Sequence, residues 1–159
     1  MPRYTQTYDL EEVRDDLQKR LDTLAEKAAQ LDENAEEYAA VAQEAATLEE
    51  HLAGVEWALQ PGEDEPFDPI DEVTLGALST GEYAEVGDRS IDTQSETIGG
   101  PKSTEFATKV LYTAQGLVDA PFLSGDNPSF EAKAKAVRKL APAFETWLHD
   151  QVDDLTTPD

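Results

Sequence analysis

The fold is decided by residues 10–59, LEEVRDDLQKRLDTLAEKAAQLDENAEEYAAVAQEAATLEEHLAGVEWAL, where mainly apolar side chains recur at every seventh position. Each of the first seven of these side chains is followed by a second apolar side chain three or four residues later. This spacing is typical of a helix that buries one stripe against a partner, as in a coiled coil or a helical hairpin. The row, which we call the seam, consists of Leu10, Leu17, Leu24, Leu31, Tyr38, Ala45, Leu52 and Leu59.

One long helix or two shorter ones could carry the seam. Pro and Gly are absent from residues 9–53, which favours a single helix of about 50 residues, or about 75 Å. The companion row, however, shifts from four residues after the seam to three near Tyr38. A break at Asp32-Glu33-Asn34 would instead give two antiparallel arms.

Both ends of this helical stretch carry end signals. Thr7 or Asp9 can cap the amino end, and Gln60-Pro61-Gly62 can stop the helix. The chain therefore divides into three predicted segments: residues 1–60, the long amphipathic helix; residues 61–101, an acidic linker with a small α/β or loop element; and residues 102–159, an antiparallel helical module.

The middle segment offers little regular structure. Residues 72–78, EVTLGAL, can form one short strand or the start of a helix. Ser79 or Thr80 can cap a short helix after it. Residues 87–101 are polar and lack a period, so they form a long ordered loop or are partly disordered. The predicted class is mainly α: a long coiled-coil-like N-terminal helix, then a small helical domain with at most one or two short strands.

Two helices are predicted in the last segment. The first is capped by Ser103 or Thr104, includes Leu117 and Val118, and ends before Pro121. The second opens with Asn127 as cap and Pro128 at its first position, and Pro142 kinks or splits it.

A short connection between these two helices makes them antiparallel neighbours. Phe122 and Leu123 lie in this corner, where they either fold back onto the core or form an exposed anchor for a partner.

The composition is strongly acidic. Asp and Glu number 35 against 12 Lys and Arg, which gives a net charge of −23 and an estimated pI of 4.1. Such a surface repels phosphate groups, so nucleic acid and anionic membranes are not expected as partners. A DNA-binding zipper would need a basic region, and Arg3 is the only base in the first 13 residues.

This chain is acidic, poor in lysine and rich in alanine. In these respects it resembles the proteins of salt-adapted haloarchaea and of their viruses. Crowded carboxylates are tolerated at molar salt because charges are screened within about 3 Å. The alternative is an acidic protein of a mesophile with partly disordered segments. No basic-then-apolar leader or long apolar run is present, so the protein is expected to be soluble and kept inside the cell.

The sequence has no pattern that points to catalysis. The chain contains no Cys, and its two histidines, His51 and His149, lack ligand spacing. Gly99-Gly100-Pro101 has no downstream Lys-Ser or Lys-Thr, and paired acids such as Asp15-Asp16 are unavoidable at this composition. We expect no catalytic residue, no cofactor and no metal, and therefore a protein that is not an enzyme.

Short motifs in residues 70–155 resemble those of tail assembly chaperones and related small tail-module proteins of long-tailed viruses. They are Val73-Thr74-Leu75, Leu78-Ser79-Thr80-Gly81-Glu82, Gly116-Leu117-Val118-Asp119-Ala120-Pro121, Leu140-Ala141-Pro142 and Trp147-Leu148. The resemblance implies an assembly factor that coats an extended helical partner, such as the tape-measure protein, until tail-tube subunits polymerise. The alternative is a structural part of the virion, in the neck, tail or capsid surface, whose long helix packs against copies of itself or a neighbour.

The partner under either hypothesis is a protein, either this chain itself or a viral tail protein. The expected location is the cytoplasm of a halophilic host or the virion. The predicted interaction residues are of two kinds: the seam residues Leu10, Leu17, Leu24, Leu31, Tyr38, Leu52 and Leu59, and the possible partner anchor or corner residues Gly116, Pro121, Phe122, Leu123 and Trp147.

Overall fold

The computed structural model describes residues 4–63, 68–87, 101–123 and 128–157, and for residues 101–107 it describes the backbone alone. Helices account for most of this part of the chain, and the remaining regular structure is a small antiparallel sheet. The predicted mainly α class is therefore confirmed.

The N-terminal helical stretch is a hairpin. Helix α1 spans Leu10–Ala29, helix α2 spans Glu36–Leu59, and the two pack along each other. A long helical N-terminal segment was predicted and is present. The single continuous helix, which the lack of Pro and Gly favours, is not observed. The structure has the alternative, two antiparallel helical arms.

The break has a local cause in Asp32. Its side-chain Oδ1 accepts a hydrogen bond from the Asn34 backbone N–H at 3.0 Å, and its carbonyl accepts one from the Ala35 N–H at 2.9 Å. Asp and Asn side chains satisfy backbone groups in turns and so compete with helical hydrogen bonds. A chain free of Pro and Gly can therefore still reverse at Asp32-Glu33-Asn34.

Three short strands form the sheet in the order β1-β2-β3. Strand β1 is Thr5–Asp9, β2 is Glu72–Gly76 and β3 is Leu117–Asp119. The described residues thus contain three strands, whereas at most two were predicted. Strand β2 lies where a short strand was predicted. Leu117 and Val118, predicted as helical, belong to β3 because the preceding helix ends at Gly116 and Leu117 pairs with Leu75.

Asp9 joins β1 to α1. It is the last residue of the strand, and its Oδ1 accepts hydrogen bonds from the backbone N–H groups of Glu11 and Glu12 at 3.0 and 3.4 Å. Of the two predicted caps, Asp9 is the one used, while Thr7 lies within β1. At the far end, α2 stops at Leu59, directly before the predicted Gln60-Pro61-Gly62 signal.

Residues 80–87 form a short helix, α3. The Glu82 N–H donates to the Ser79 hydroxyl at 3.2 Å, and the Ser79 N–H donates to Glu82 Oε1 at 2.9 Å. This reciprocal pair is a capping box.

The described residues of the last segment form three helices: α4 spans Pro101–Gly116, α5 spans Phe130–Val137 and α6 spans Pro142–Thr156. The predicted split at Pro142 is present, with Pro142 in the first turn of α6. Helix α4 begins before Ser103 and Thr104, whose side chains lie outside the described residues.

The start of α5 differs from the prediction. The Ser129 hydroxyl caps it by accepting from the Ala132 N–H at 3.2 Å, so Pro128 precedes the helix and does not open it. The predicted cap Asn127 lies outside the described residues.

One hydrophobic core connects the three predicted segments, since α2 packs on α6, and α6 packs on α4 and β2. At its centre, the rings of Phe144 and Trp147 stack with centroids 5.9 Å apart. The largest fully buried side chains include Leu10, Val55, Ile70, Leu75, Leu117, Phe144, Trp147 and Leu148.

Candidate functional site

In α1 the seam is buried at the amino end and more accessible toward the turn of the hairpin. Leu10 and Leu17 are 0% and 5% exposed and belong to the central core. Leu24 is half-buried against that core, and Leu31, in the turn, is also half-buried. The first half of the predicted seam therefore packs the hairpin onto the body of its own chain.

In α2 the seam residues border the buried face. Tyr38, Leu52 and Leu59 are half-buried, while the companion row Val41, Leu48 and Val55 is buried. The shift of the companion row near Tyr38 thus coincides with the reversal of the chain.

The outer half of the hairpin, residues 21–45, is called the hairpin tip below. A shallow cavity of about 330 Å³ lies between its two helices, lined in part by Leu21, Leu24, Tyr38 and Val41. The seam residues Leu24 and Tyr38 line this cavity and are only half-buried, so they are partly accessible to a partner.

The predicted corner residues have different environments. Gly116 and Trp147 are buried, Phe122 and Leu123 are half-buried against the core, and Pro121 is exposed. A Cβ at Gly116 would lie 2.5 Å from Val152 Cγ1, so this glycine lets the end of α4 lie directly against α6.

A groove of about 570 Å³, here called the β1 groove, lies between β1, α1, α2 and α6. Trp147 forms part of its floor, and the ring of Tyr8 meets the Trp147 ring edge-on with centroids 5.4 Å apart. Burial raises the pKa of the Tyr8 hydroxyl, and the negative charge of Asp154 raises it further. The phenol is therefore a neutral hydrogen-bonding group at neutral pH.

The walls of the β1 groove are mainly anionic. Its lining includes the carboxylates of Asp9, Glu12, Asp16 and Asp154 and the guanidinium of Arg20. Arg20 Nε lies 3.1 Å from Asp16 Oδ2, so this cation is already matched within the helix. An aromatic floor with acidic walls favours a cationic group over an anionic one.

Asp150 connects both histidines of the chain. Its Oδ2 lies 2.8 Å from His51 Nε2, and its Oδ1 lies 3.2 Å from His149 Nδ1. Partial burial of Asp150 would raise its pKa, but the hydrogen bonds from His149 and His51 outweigh that effect and hold the pKa well below its ordinary value.

His51 is 8% exposed, so it is a buried residue and not a solvated one. A histidine and carboxylate become a catalytic pair when the second ring nitrogen reaches a nucleophile. Among the described residues, Asp150 is the side chain to which both imidazoles form a hydrogen bond. This arrangement therefore fastens α2 to α6.

Glu145 is a buried carboxyl group between α4 and α6, only 1% exposed. Its Oε1 lies 2.7 Å from the Thr113 hydroxyl. Its Oε2 lies 3.7 Å from Lys109 Nζ and accepts no hydrogen bond from the described residues. Burial raises the pKa of Glu145, although Thr113 and Lys109 oppose the shift. The folded state therefore binds a proton here more tightly than the unfolded chain does.

We expect Glu145→Gln to stabilise the protein at neutral pH by about 1 kcal/mol, because the amide keeps the shape of the carboxyl group without a buried charge. A raised pKa contributes stability at low pH that is lost as pH rises through the folded pKa. The advantage of the variant over the parent should therefore shrink as pH falls toward 4.

Urea unfolding at pH 7 and pH 4 measures this difference. Glu56→Gln, at an exposed position of α2, is the control and should behave like the parent at both values. If the Glu145→Gln variant is less stable than the parent at pH 7, the ion pair with Lys109 outweighs the cost of burial.

Three residues of these sites were not identified from the sequence. Tyr8 follows a polar run in which apolar residues do not alternate with polar ones. Asp150 has no signal apart from its neighbour His149. Glu145 lies at the border of the apolar stripe of its helix. The short polar run preceding the Asp9 cap could have suggested an edge strand, whereas no local pattern indicates the pairing of His51 with a residue 99 positions away.

Comparison with known proteins identifies no relative: no family model, curated protein or solved structure matches the chain. Within the described residues, no group of three or more His, Asp or Glu side chains is placed to hold a metal ion. No helix in that part of the chain has the length and apolar character needed to cross a membrane.

Proposed function

We propose that the chain is a non-enzymatic assembly or structural protein of a haloarchaeal tailed virus, and that it works as a tail assembly chaperone-like factor. Its partner would be an extended helical protein such as the tape measure, bound in the cytoplasm of a halophilic host. The family part of this proposal rests on the resemblance of residues 70–155, and the halophilic part on the net charge of −23.

The observation that carries the binding role is the uneven burial of the seam. Leu10 and Leu17 are used within the chain, but Leu24, Leu31 and Tyr38 are only partly covered. A third helix laid along the hairpin tip would complete the burial of these side chains, as in helix-in-groove recognition. The acidic surface around the tip would keep the free protein dispersed until that helix binds.

A test of this surface replaces Leu24 and Leu31 with Asp. Placing charges where apolar burial is needed should weaken self-association or partner binding at least tenfold, because each lost Leu contact contributes on the order of 1 kcal/mol or more. Helicity of residues 102–155 should remain, since Leu24 only borders the central core and Leu31 is not among the side chains packed against it.

Sedimentation velocity and co-purification with the tape-measure protein of the same virus measure the two kinds of association. The matched control replaces the exposed Ala29 and Gln30 with Asp, which adds the same charge next to the seam. If the Leu24/Leu31 variant sediments and binds like the parent, the hairpin tip is not an interface.

The second candidate is a structural virion component, such as a neck, tail or capsid-surface protein. It is favoured by the short length of the accessible seam, which suits packing against a neighbouring copy better than coating a long helix. Peptide mass spectrometry of purified particles separates the two. A chaperone is abundant during infection and absent from particles, whereas a structural component is present at a symmetric copy number.

A further inference from the structure

The outer edge of β1 is open in the described part of the chain. Strand β1 is at the end of the sheet, and β2 is the strand that pairs with it. The Tyr4 carbonyl accepts from the Ala77 N–H and the Leu10 N–H donates to the Asp71 carbonyl, both at 2.9 Å. Because antiparallel pairing alternates along a strand, Thr5 and Thr7 direct their backbone N–H and C=O groups to the outer edge. The Asp9 N–H points the same way, while its carbonyl begins helix α1.

Three of the features that block strand addition, namely proline, lysine and a β-bulge, are absent from this edge. Residues 5–9, TQTYD, contain no Pro and no Lys, and the pairing of β1 with β2 runs without a bulge from Thr5 to Asp9. An exposed edge of this kind is a template for another extended segment.

The β1 groove runs along the same edge. All four residues Gln6–Asp9 line it. Successive side chains of a strand point to opposite faces of the sheet, so a space on one face would be lined by every second residue only. A space lined by all four residues therefore follows the edge of the strand. Its volume of about 570 Å³ is within the range of ligand-binding clefts. A strand added to β1 would therefore place alternate side chains over Tyr8 and Trp147.

The charge of the groove determines what such a segment can carry. Among the described residues that line it, the groove has four carboxylates and one guanidinium, a net charge of −3, and this guanidinium is already paired with Asp16. Lys or Arg side chains would meet both the carboxylates and the aromatic floor. A second copy pairing through β1 would bring its own Asp9, and the Glu12 and Asp16 that follow it in α1, close to the same carboxylates, which like charges oppose.

We propose that β1 and its groove bind an extended, Lys- or Arg-containing segment of another protein by strand addition. This surface is separate from the hairpin tip and does not depend on the proposed function. The probe is a nine-residue peptide of alternating Lys and Thr, with the Glu/Thr peptide as its charge-reversed counterpart. Fluorescence anisotropy of the labelled peptides is measured in the lowest KCl concentration at which the full chain is folded.

Thr7→Pro tests the strand addition itself. Its N–H points outward, so proline removes an edge donor without removing a β1–β2 hydrogen bond. We expect at least a tenfold loss of Lys/Thr peptide affinity. Thr7→Val keeps the N–H and loses only the hydroxyl, which lies 2.9 Å from the Thr74 hydroxyl, and should bind within twofold of the parent.

The role of charge is tested with separate variants. The proposal can then be tested even if the proline variant does not fold. Glu12→Gln combined with Asp154→Asn should weaken binding at least threefold. Glu26→Gln combined with Glu33→Gln changes the net charge equally outside the groove and should leave binding unchanged.

Four results would overturn the proposal: no binding of the Lys/Thr peptide, equal binding of the Glu/Thr peptide, unchanged binding by Thr7→Pro, or equal weakening by both charge pairs. Dimerisation of the parent that Thr7→Pro abolishes would assign the edge to a second copy and would also reject it.

Discussion

Replacing Gly54 with alanine is expected to lower the free energy of unfolding by about 3 kcal/mol. A Cβ at this position would lie 2.5 Å from the Ala143 carbonyl carbon and oxygen and from the Phe144 nitrogen. Real Cβ atoms do not approach other atoms so closely, and backbone atoms in the first turn of α6 cannot move away as a flexible side chain could. Helices α2 and α6 would have to separate, which would loosen the packing around Phe144 and Trp147.

Gly81→Ala is the matched control for this substitution. Gly81 lies in α3, is exposed, and has nothing within 4 Å of an added Cβ. Alanine there should be neutral or stabilise by up to about 1 kcal/mol, because it is the better helix former. Chemical denaturation of both variants makes the comparison. A Gly54 variant as stable as the parent would mean that α2 and α6 are not in backbone contact.

The helices could be predicted from the sequence because their burial is periodic. The seven-residue spacing of Leu10, Leu17 and Leu24 requires a helix, and Pro142 at the start of α6 marks a boundary that tertiary packing does not move. The number of helices in residues 10–59 does not follow from this spacing, since a short turn such as Asp32-Glu33-Asn34 can reverse the chain. Asp32 supplies the hydrogen bonds of the reversal, and packing of α1 on α2 stabilises the two-armed form; this packing is not visible in a local pattern.

The candidate sites were predictable only in part. The seven-residue spacing marks side chains on the apolar face of a helix, but it does not show what they contact, and Leu10 and Leu17 pack into the central core of their own chain. The β1 groove and the His51–Asp150 contact depend on residues far apart in the chain, brought together by the docking of α2 on α6. Strand β3 is three residues long and irregular in pairing, so it has no period to detect.

The second large effect we expect is a dependence of folding on salt. Residues 1–101 carry 26 acidic and 6 basic side chains, a net charge of −20. Helix α2 alone contains Glu36, Glu37, Glu44, Glu49, Glu50 and Glu56 and no Lys or Arg. At 0.1 M salt these charges interact over about 10 Å, which is the scale of the spacing between packed helices. Far-UV circular dichroism should therefore show helicity that rises between 0.1 and 3 M KCl, and a flat profile would contradict the halophilic hypothesis.

Screening must be distinguished from the general effect of concentrated salt, which also strengthens the burial of apolar surface. Replacing the exposed Glu44, Glu49 and Glu50 with Gln removes three charges from α2 and keeps side-chain length and helix propensity. If repulsion limits folding, this variant is more helical than the parent at 0.1 M KCl, by an amount on the order of a few kcal/mol in stability, and the two converge at 3 M. If both respond equally to salt, the acidic surface of α2 is not the cause. The gap between the two curves thus measures the repulsion itself, because the apolar contribution is the same in both proteins and cancels.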